Sequence, residues 1–212
     1  MGIAERKQRD YDRRRALILS AARRAFRRRG FAGVTLDDIA LKIEFSKGTI
    51  YSHFQSKEEI FAQILVGHLD RLIEVLKKAA AASVSTEDGI RRALEAYLRF
   101  YDQHRDYGQL LFFVDAHDNR EHIPDRVKKE IHRRKLACLR ELQRILAGPE
   151  RTESKARSAA AKDLALLLWG MLNGILQLHE SRQIERAELG HMIDLGFGVV
   201  MNGLPNIFNP KT

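Results

Sequence analysis

Two short capped helices joined by a tight turn, between residues 35 and 54, restrict what this chain can fold into more than any other feature. Thr35 is placed to cap the first helix, and Asp38 three residues on completes a capping box; Ser46 caps the second. Each helix is only about two turns long. Leu36, Ile39 and Ala40 give the first an apolar inner face. Ile50 and Phe54, four apart, do the same for the second and leave Lys47, Thr49, Tyr51, Ser52 and His53 on a polar face. Helices this short need bracing by longer neighbours.

The flanking sequence supplies that bracing. From Arg13 to Arg29, Leu17, Ile18, Ala21, Ala22, Ala25 and Phe26 recur at three- and four-residue spacing, and Gly30 ends the pattern. Ser56 and Glu59 open a long helix whose apolar stripe runs to Ala81, about 40 Å of rod. Further helices follow. Thr86 caps one; a short aromatic one spans about 106–116; another begins after the polar turn 117–122 at Pro124 and stops at Gly148 and Pro149. A polar stretch, 150–157, precedes an almost wholly apolar helix over about 159–181 and a last one over about 185–202. Strand patterns and internal repeats are lacking, so the fold class is all-α. About nine helices are expected, with an N-terminal module at 1–58 that includes a basic arm, and a helical bundle at 59–212.

Charge narrows the partner. The chain of 212 residues carries a net +9, and residues 1–30 hold eleven Lys or Arg against three acids, so nearly all the excess lies at one end. That is an electrostatic footprint for a polyanion. The arm Arg6 to Arg15 is either a disordered charged end or an extension that reaches a minor groove or the backbone of a duplex. A secretion signal is not legible at the N-terminus, and the apolar run 164–178 falls short of a membrane span, so the cytoplasm is the expected location and no membrane partner is expected. A single cysteine, Cys138, excludes an intramolecular disulfide and reads as a small core hydrophobe.

The segments Thr35-Leu36-Asp37-Asp38-Ile39-Ala40, Ser46-Lys47-Gly48-Thr49-Ile50-Tyr51-Ser52-His53-Phe54 and Ser56-Lys57-Glu58-Glu59, preceded by Ala21-Ala22, Phe26 and Gly30-Phe31, resemble the tetracycline-repressor (TetR) family. The resemblance covers about residues 15–65. It implies that Thr35, Thr49, His53 and Lys57 hold phosphates and that Lys47, Gly48 and Tyr51 approach base edges, with Ser46 and Ser52 completing the DNA-facing set. Lysine reaches guanine acceptors, glycine lets backbone come close to a thymine methyl, and tyrosine offers a ring and a hydroxyl. One departure is the turn, where the family pattern has Ala-Gly and this chain has Ile43-Glu44. A left-handed backbone at Glu44 would cost about 1 to 2 kcal/mol relative to glycine, so either the turn differs or the strain is tolerated.

Outside this segment the signals are weaker. The aromatics Tyr97, Phe100, Tyr101, Phe112 and Phe113, with Trp169, Asn173 and Gln177 from the penultimate helix, are the candidate lining of a pocket for a small hydrophobic or amphipathic effector. Gly170 and Gly174 on that helix, and Gly190, Gly196 and Gly198 on the last, would admit close helix packing. The expectation is a homodimer through the last two helices. His117, Asp118 and His122, near Asp115, are metal-ligand types, but they sit in an inter-helix loop, and no metal or other cofactor is expected. No catalytic constellation is legible, so no enzymatic activity is expected. The reading is a sequence-specific transcriptional regulator, a repressor that leaves a palindromic operator on binding its effector. The alternatives are a non-specific, nucleoid-type DNA-binding protein and a small-molecule binder or enzyme with a vestigial helix-turn-helix.

Overall fold

The computed structural model describes Gly2–Gly148 and Lys155–Phe208, with side chains for all of these but residues 117, 118, 155–157 and 203–208. Ten helices occupy the described residues: α1 (Ile3–Arg29), α2 (Leu36–Lys42), α3 (Lys47–Tyr51), α4 (Lys57–Ala81), α5 (Thr86–Gln103), α6 (Tyr107–Asp115), α7 (His117–Arg120), α8 (Asp125–Ala147), α9 (Lys155–Glu180) and α10 (Arg186–Phe208). The fold is all-α. The one helix beyond the expected nine is α7, a four-residue turn of helix in the stretch read as a polar loop.

Helix boundaries follow local chemistry. α1 starts ten residues before the apolar pattern does, because residues 4–14 contain no Gly, Pro or β-branched residue and are laced by Gln8–Asp12 at 3.0 Å and Arg14–Asp10 at 2.9 Å. Gly30 closes it at φ 70°, its N–H donating to Phe26 O. α5 is capped by Ser85 rather than Thr86, the Ser85 hydroxyl accepting Asp88 N–H at 3.1 Å. Gly148 ends α8 at φ 79°. Pro149 and most of the polar stretch expected after it, through Ser154, lie outside the described residues.

The chain forms two compact units. The first joins residues up to Gly67 with Phe113–Ile131. Ile18, Ala22, Ile39, Ile50, Phe54 and Ile60 are buried in its core. Beside them Phe26, Phe31, Phe61 and Phe113 form an aromatic cluster with centroids 4.3 to 5.6 Å apart. Phe113, expected in a ligand pocket, is half-buried and joins this cluster in the first unit. Glu59 is fully buried, its carboxylate bonded to Arg126 and to Gln55 N–H, while the Ser56 hydroxyl donates to His122 O. These bonds fasten the 113–131 segment to the start of α4.

The second unit holds His68–Phe112 and the described residues from His132 onward. Its core includes Leu76, Tyr97, Tyr107, Leu142, Leu168 and Ile193. α9 and α10 pack along one another, and Gly196 receives the Met171 side chain so closely that a β-carbon there would lie 2.3 Å from its sulfur. Ser158–Glu180 is long and apolar enough to cross a membrane by length and composition, 23 residues at mean hydropathy 1.3, longer than the 164–178 run suggests.

Candidate nucleic-acid interface

The first unit builds a two-helix projection from α2 and α3. At the start of α2, Thr35 Oγ1 accepts Asp38 N–H at 3.1 Å and Asp38 Oδ2 accepts Thr35 N–H at 2.9 Å, the reciprocal box read from the sequence. The Thr35 bonds and the Arg29 guanidinium hold the Asp38 carboxyl below the usual carboxylate range. The turn is closed by Phe45 N–H donating to Ala40 O at 3.0 Å, and Glu44 takes φ 56°. The left-handed turn is thus kept with glutamate in it, and the strain is tolerated. In α3, Ser46 Oγ accepts Thr49 N–H at 3.1 Å, and Ile50 and Phe54 are buried on α1 and α2 as expected.

The outward face carries Lys47, Gly48, Tyr51 and Ser52, all exposed, with Tyr51 at 56%. A β-carbon at Gly48 would meet only Ser46 Oγ at 3.8 Å, so nothing inside the chain calls for glycine there. Its bareness is free for close approach from outside. Lys47 lies 2.5 Å from Asp37 of α2, which keeps the ammonium above the usual lysine range. The hydroxyls are locally engaged: Thr35 donates to Asp38, Ser46 and Thr49 bond each other, and Ser52 donates to Thr49 O. Thr35, Tyr51 and Lys57 border one open hollow of about 360 Å³ at the N-terminal ends of α2 and α4.

Two expected phosphate ligands sit differently from the sequence reading. His53 is 6% exposed, because the Tyr11 ring covers it at 4.3 Å between centroids, so it is not part of the polar face. Burial first, then Arg15 and Arg14, push its imidazole below the usual histidine range. Lys57 folds over the Phe31 ring at 4.4 Å and donates to Phe31 O. Sequence spacing could not disclose Tyr11 over His53, or Asp37 on Lys47, since each pair meets only across the packed module.

Residues 18–64 match the family model described as bacterial regulatory proteins, tetR family. That segment, from late α1 to the first turns of α4, is a TetR-family N-terminal module. Among curated HTH-type relatives, the chain is 31% identical over 117 residues to the transcriptional activator FasR of Mycolicibacterium smegmatis, covering 55% of this chain and 53% of that one. The chain thus spans about half the length of FasR. A transcriptional repressor of Streptomyces coelicolor is 28% identical over 177 residues, 83% of this chain and 85% of that one. In fold, a TetR/AcrR-family regulator from Thermobifida fusca superimposes at a TM-score of 0.61, with 22% identity, over 94% of this chain and 98% of the other.

The candidate effector residues of the second unit are dispersed. Tyr97 and Trp169 line an apolar cavity with Leu76, Ile90, Leu142 and Leu172; it is all but closed, about 10 Å³. Phe100 instead lines an open groove between α4 and α5 and stacks on His104 at 4.4 Å. Tyr101 donates to Glu180 at 2.6 Å. Phe112 is half-buried, Gln177 is exposed, and Asn173 is half-buried with its Oδ1 unbonded. Burial pushes the Cys138 thiol up to about 12, which makes it inert. The His117 and Asp118 side chains, the core of the metal-ligand grouping, lie outside the described residues.

Proposed function

We propose that this chain is a dimeric, sequence-specific DNA-binding transcriptional regulator, a repressor that releases a palindromic operator when a small apolar or amphipathic effector binds. The observation that carries the reading is the outward face of α3, where Lys47, Gly48, Tyr51 and Ser52 are presented on a helix whose other side is locked into the core by Ile50 and Phe54. A face of donors with one bare glycine suits base edges in a major groove. The basic α1 adds affinity for the backbone.

Dimerisation is supported by the second unit. Leu166 and Leu167 on α9 are 49% and 66% exposed, Leu195 and Val199 on α10 are 55% and 68% exposed, and Gly170 and Gly174 leave open space above them. Exposed apolar side chains on two helices that pack along one another suit a second copy of the same helices. Gly190 and Gly198 remain open to such a partner, whereas Gly196 is filled by Met171. The effector site best supported is the cavity walled by Tyr97 and Trp169, which must open to admit a ligand. The cytoplasm is the compartment that suits this role.

Selection of bound duplexes from a random pool tests the reading. Enrichment of an inverted repeat is expected, and its loss with Tyr51→Ala or Lys47→Ala would tie it to α3. Binding that is steep in salt but flat in sequence would overturn it in favour of a nucleoid-type protein.

A further inference from the structure

Every residue of α1 from Ile3 to Arg14 is exposed, and Tyr11 is the first whose ring meets another part of the chain, the His53 ring at 4.3 Å. One turn later Arg15 lies 4.4 Å over the Phe54 ring and donates to His53 O at 3.4 Å. His53 and Phe54 follow directly on α3. α1 therefore crosses the C-terminal end of the reading helix at residues 11–15, and residues 3–10 project past it by about 12 Å. A B-form major groove is also about 12 Å wide.

The charges on this projection are sorted. Of its three acids, Glu5 accepts Gly2 N–H, Asp12 accepts from Gln8 and Asp10 pairs with Arg14. That leaves Arg6, Arg9 and Arg13, at spacings of three and four, as a row of guanidinium groups on one helix face with no acidic side chain bonded to them. From residue 3 to 14 the apolar side chains are Ile3, Ala4 and Tyr11, and Tyr11 is committed to His53, so one isoleucine and one alanine at the tip make no apolar stripe to enter lipid. What fits a rigid row of arginines beside a groove-reading helix is the phosphate strand that borders the groove.

We propose that residues 3–15 are a preformed helical arm that grips the duplex strand beside the groove read by α3, through Arg6, Arg9 and Arg13, with the Tyr11–His53 stack fixing its angle. The inference rests on the reading of the chain as a duplex-binding protein. It adds a second, sequence-independent contact surface to that reading.

The test is a salt titration of the full chain on two duplexes, one enriched from a random pool and one of mixed sequence. Loss of three phosphate contacts per subunit, six per dimer, in the triple variant Arg6→Ala, Arg9→Ala, Arg13→Ala lowers the slope of log affinity against log salt by about 5. The ratio of affinities for the two duplexes stays the same. Lysine at the three positions restores the slope, and Tyr11→Ala weakens binding with the charge intact. Because all three arginines are exposed, the helical circular dichroism of the triple variant is expected to match the parent. A slope unchanged in the triple variant, with the parent binding normally, overturns the arm alone. Failure of the parent to bind either duplex overturns the underlying reading and the arm with it. If the triple variant loses binding to anionic vesicles but none to the duplexes, the arm belongs to a membrane surface and the proposal falls.

Discussion

Lys47, proposed above to reach a base, is already held 2.5 Å from Asp37. Both partners are more than half exposed, so the pair itself contributes little stability. On the proposed function its effect falls on binding: a Lys47 that donates to a guanine gives up part of its bond to Asp37, and Asp37 adds negative charge beside the proposed DNA-facing side of α3. Asp37→Asn is therefore expected to tighten binding to a selected duplex by about two- to fivefold, the equivalent of an exposed ion pair. Fluorescence anisotropy at fixed salt reads this directly, and weaker binding would show that Asp37 instead positions the lysine. Neither partner's role was legible beforehand. Lys47 stood out because its neighbours form a motif, but the ten-residue gap to Asp37 matches no helical period, so only the packed turn brings the two together.

At the scale of elements, the parts governed by neighbours in sequence were the readable ones. The Thr35–Asp38 box, the Ser46 cap and the Ser56–Glu59 start of α4 each depend on residues three apart, and the structure keeps all of them. The first half of α1 was missed, since it has no buried face and stands on intrinsic propensity and i,i+4 pairs that a search for apolar periodicity passes over. The α2–α3 turn shows the limit from the other side. Its left-handed geometry persists although Glu44 occupies it at φ 56°. Glu44→Gly relieves that strain against a smaller loss in unfolded-state entropy, for a net gain of about 0.5 to 1 kcal/mol. Chemical denaturation checks it, and a less stable variant would mean that the Glu44 side chain compensates for its own backbone.

For the whole molecule, the lesson lies in Phe113 and Arg126. Both belong to the unit that carries α2 and α3, although they lie 62 and 75 positions after Tyr51, the last residue of α3. No local pattern announces such a contact; a boundary drawn after residue 58 follows the motif, whereas the compact unit also takes in 113–131. The exposed leucines of α9 and α10 carry the prediction at this scale. Leu167→Glu together with Leu195→Glu is expected to give a monomer in sedimentation at micromolar concentration with helical content unchanged, and to abolish tight binding to an inverted repeat. A variant that remains dimeric would place the interface elsewhere. The cavity beside Trp169, about 10 Å³, has a different kind of consequence. A receptor whose binding space is occupied by its own leucines sets its threshold by how hard that core is to part. Each ~1.4 kcal/mol needed for opening raises the effector concentration required tenfold. For the effector site proposed above, the dose of response is then set by how far lining residues such as Leu142 and Leu172 must part as much as by the chemistry of whatever enters.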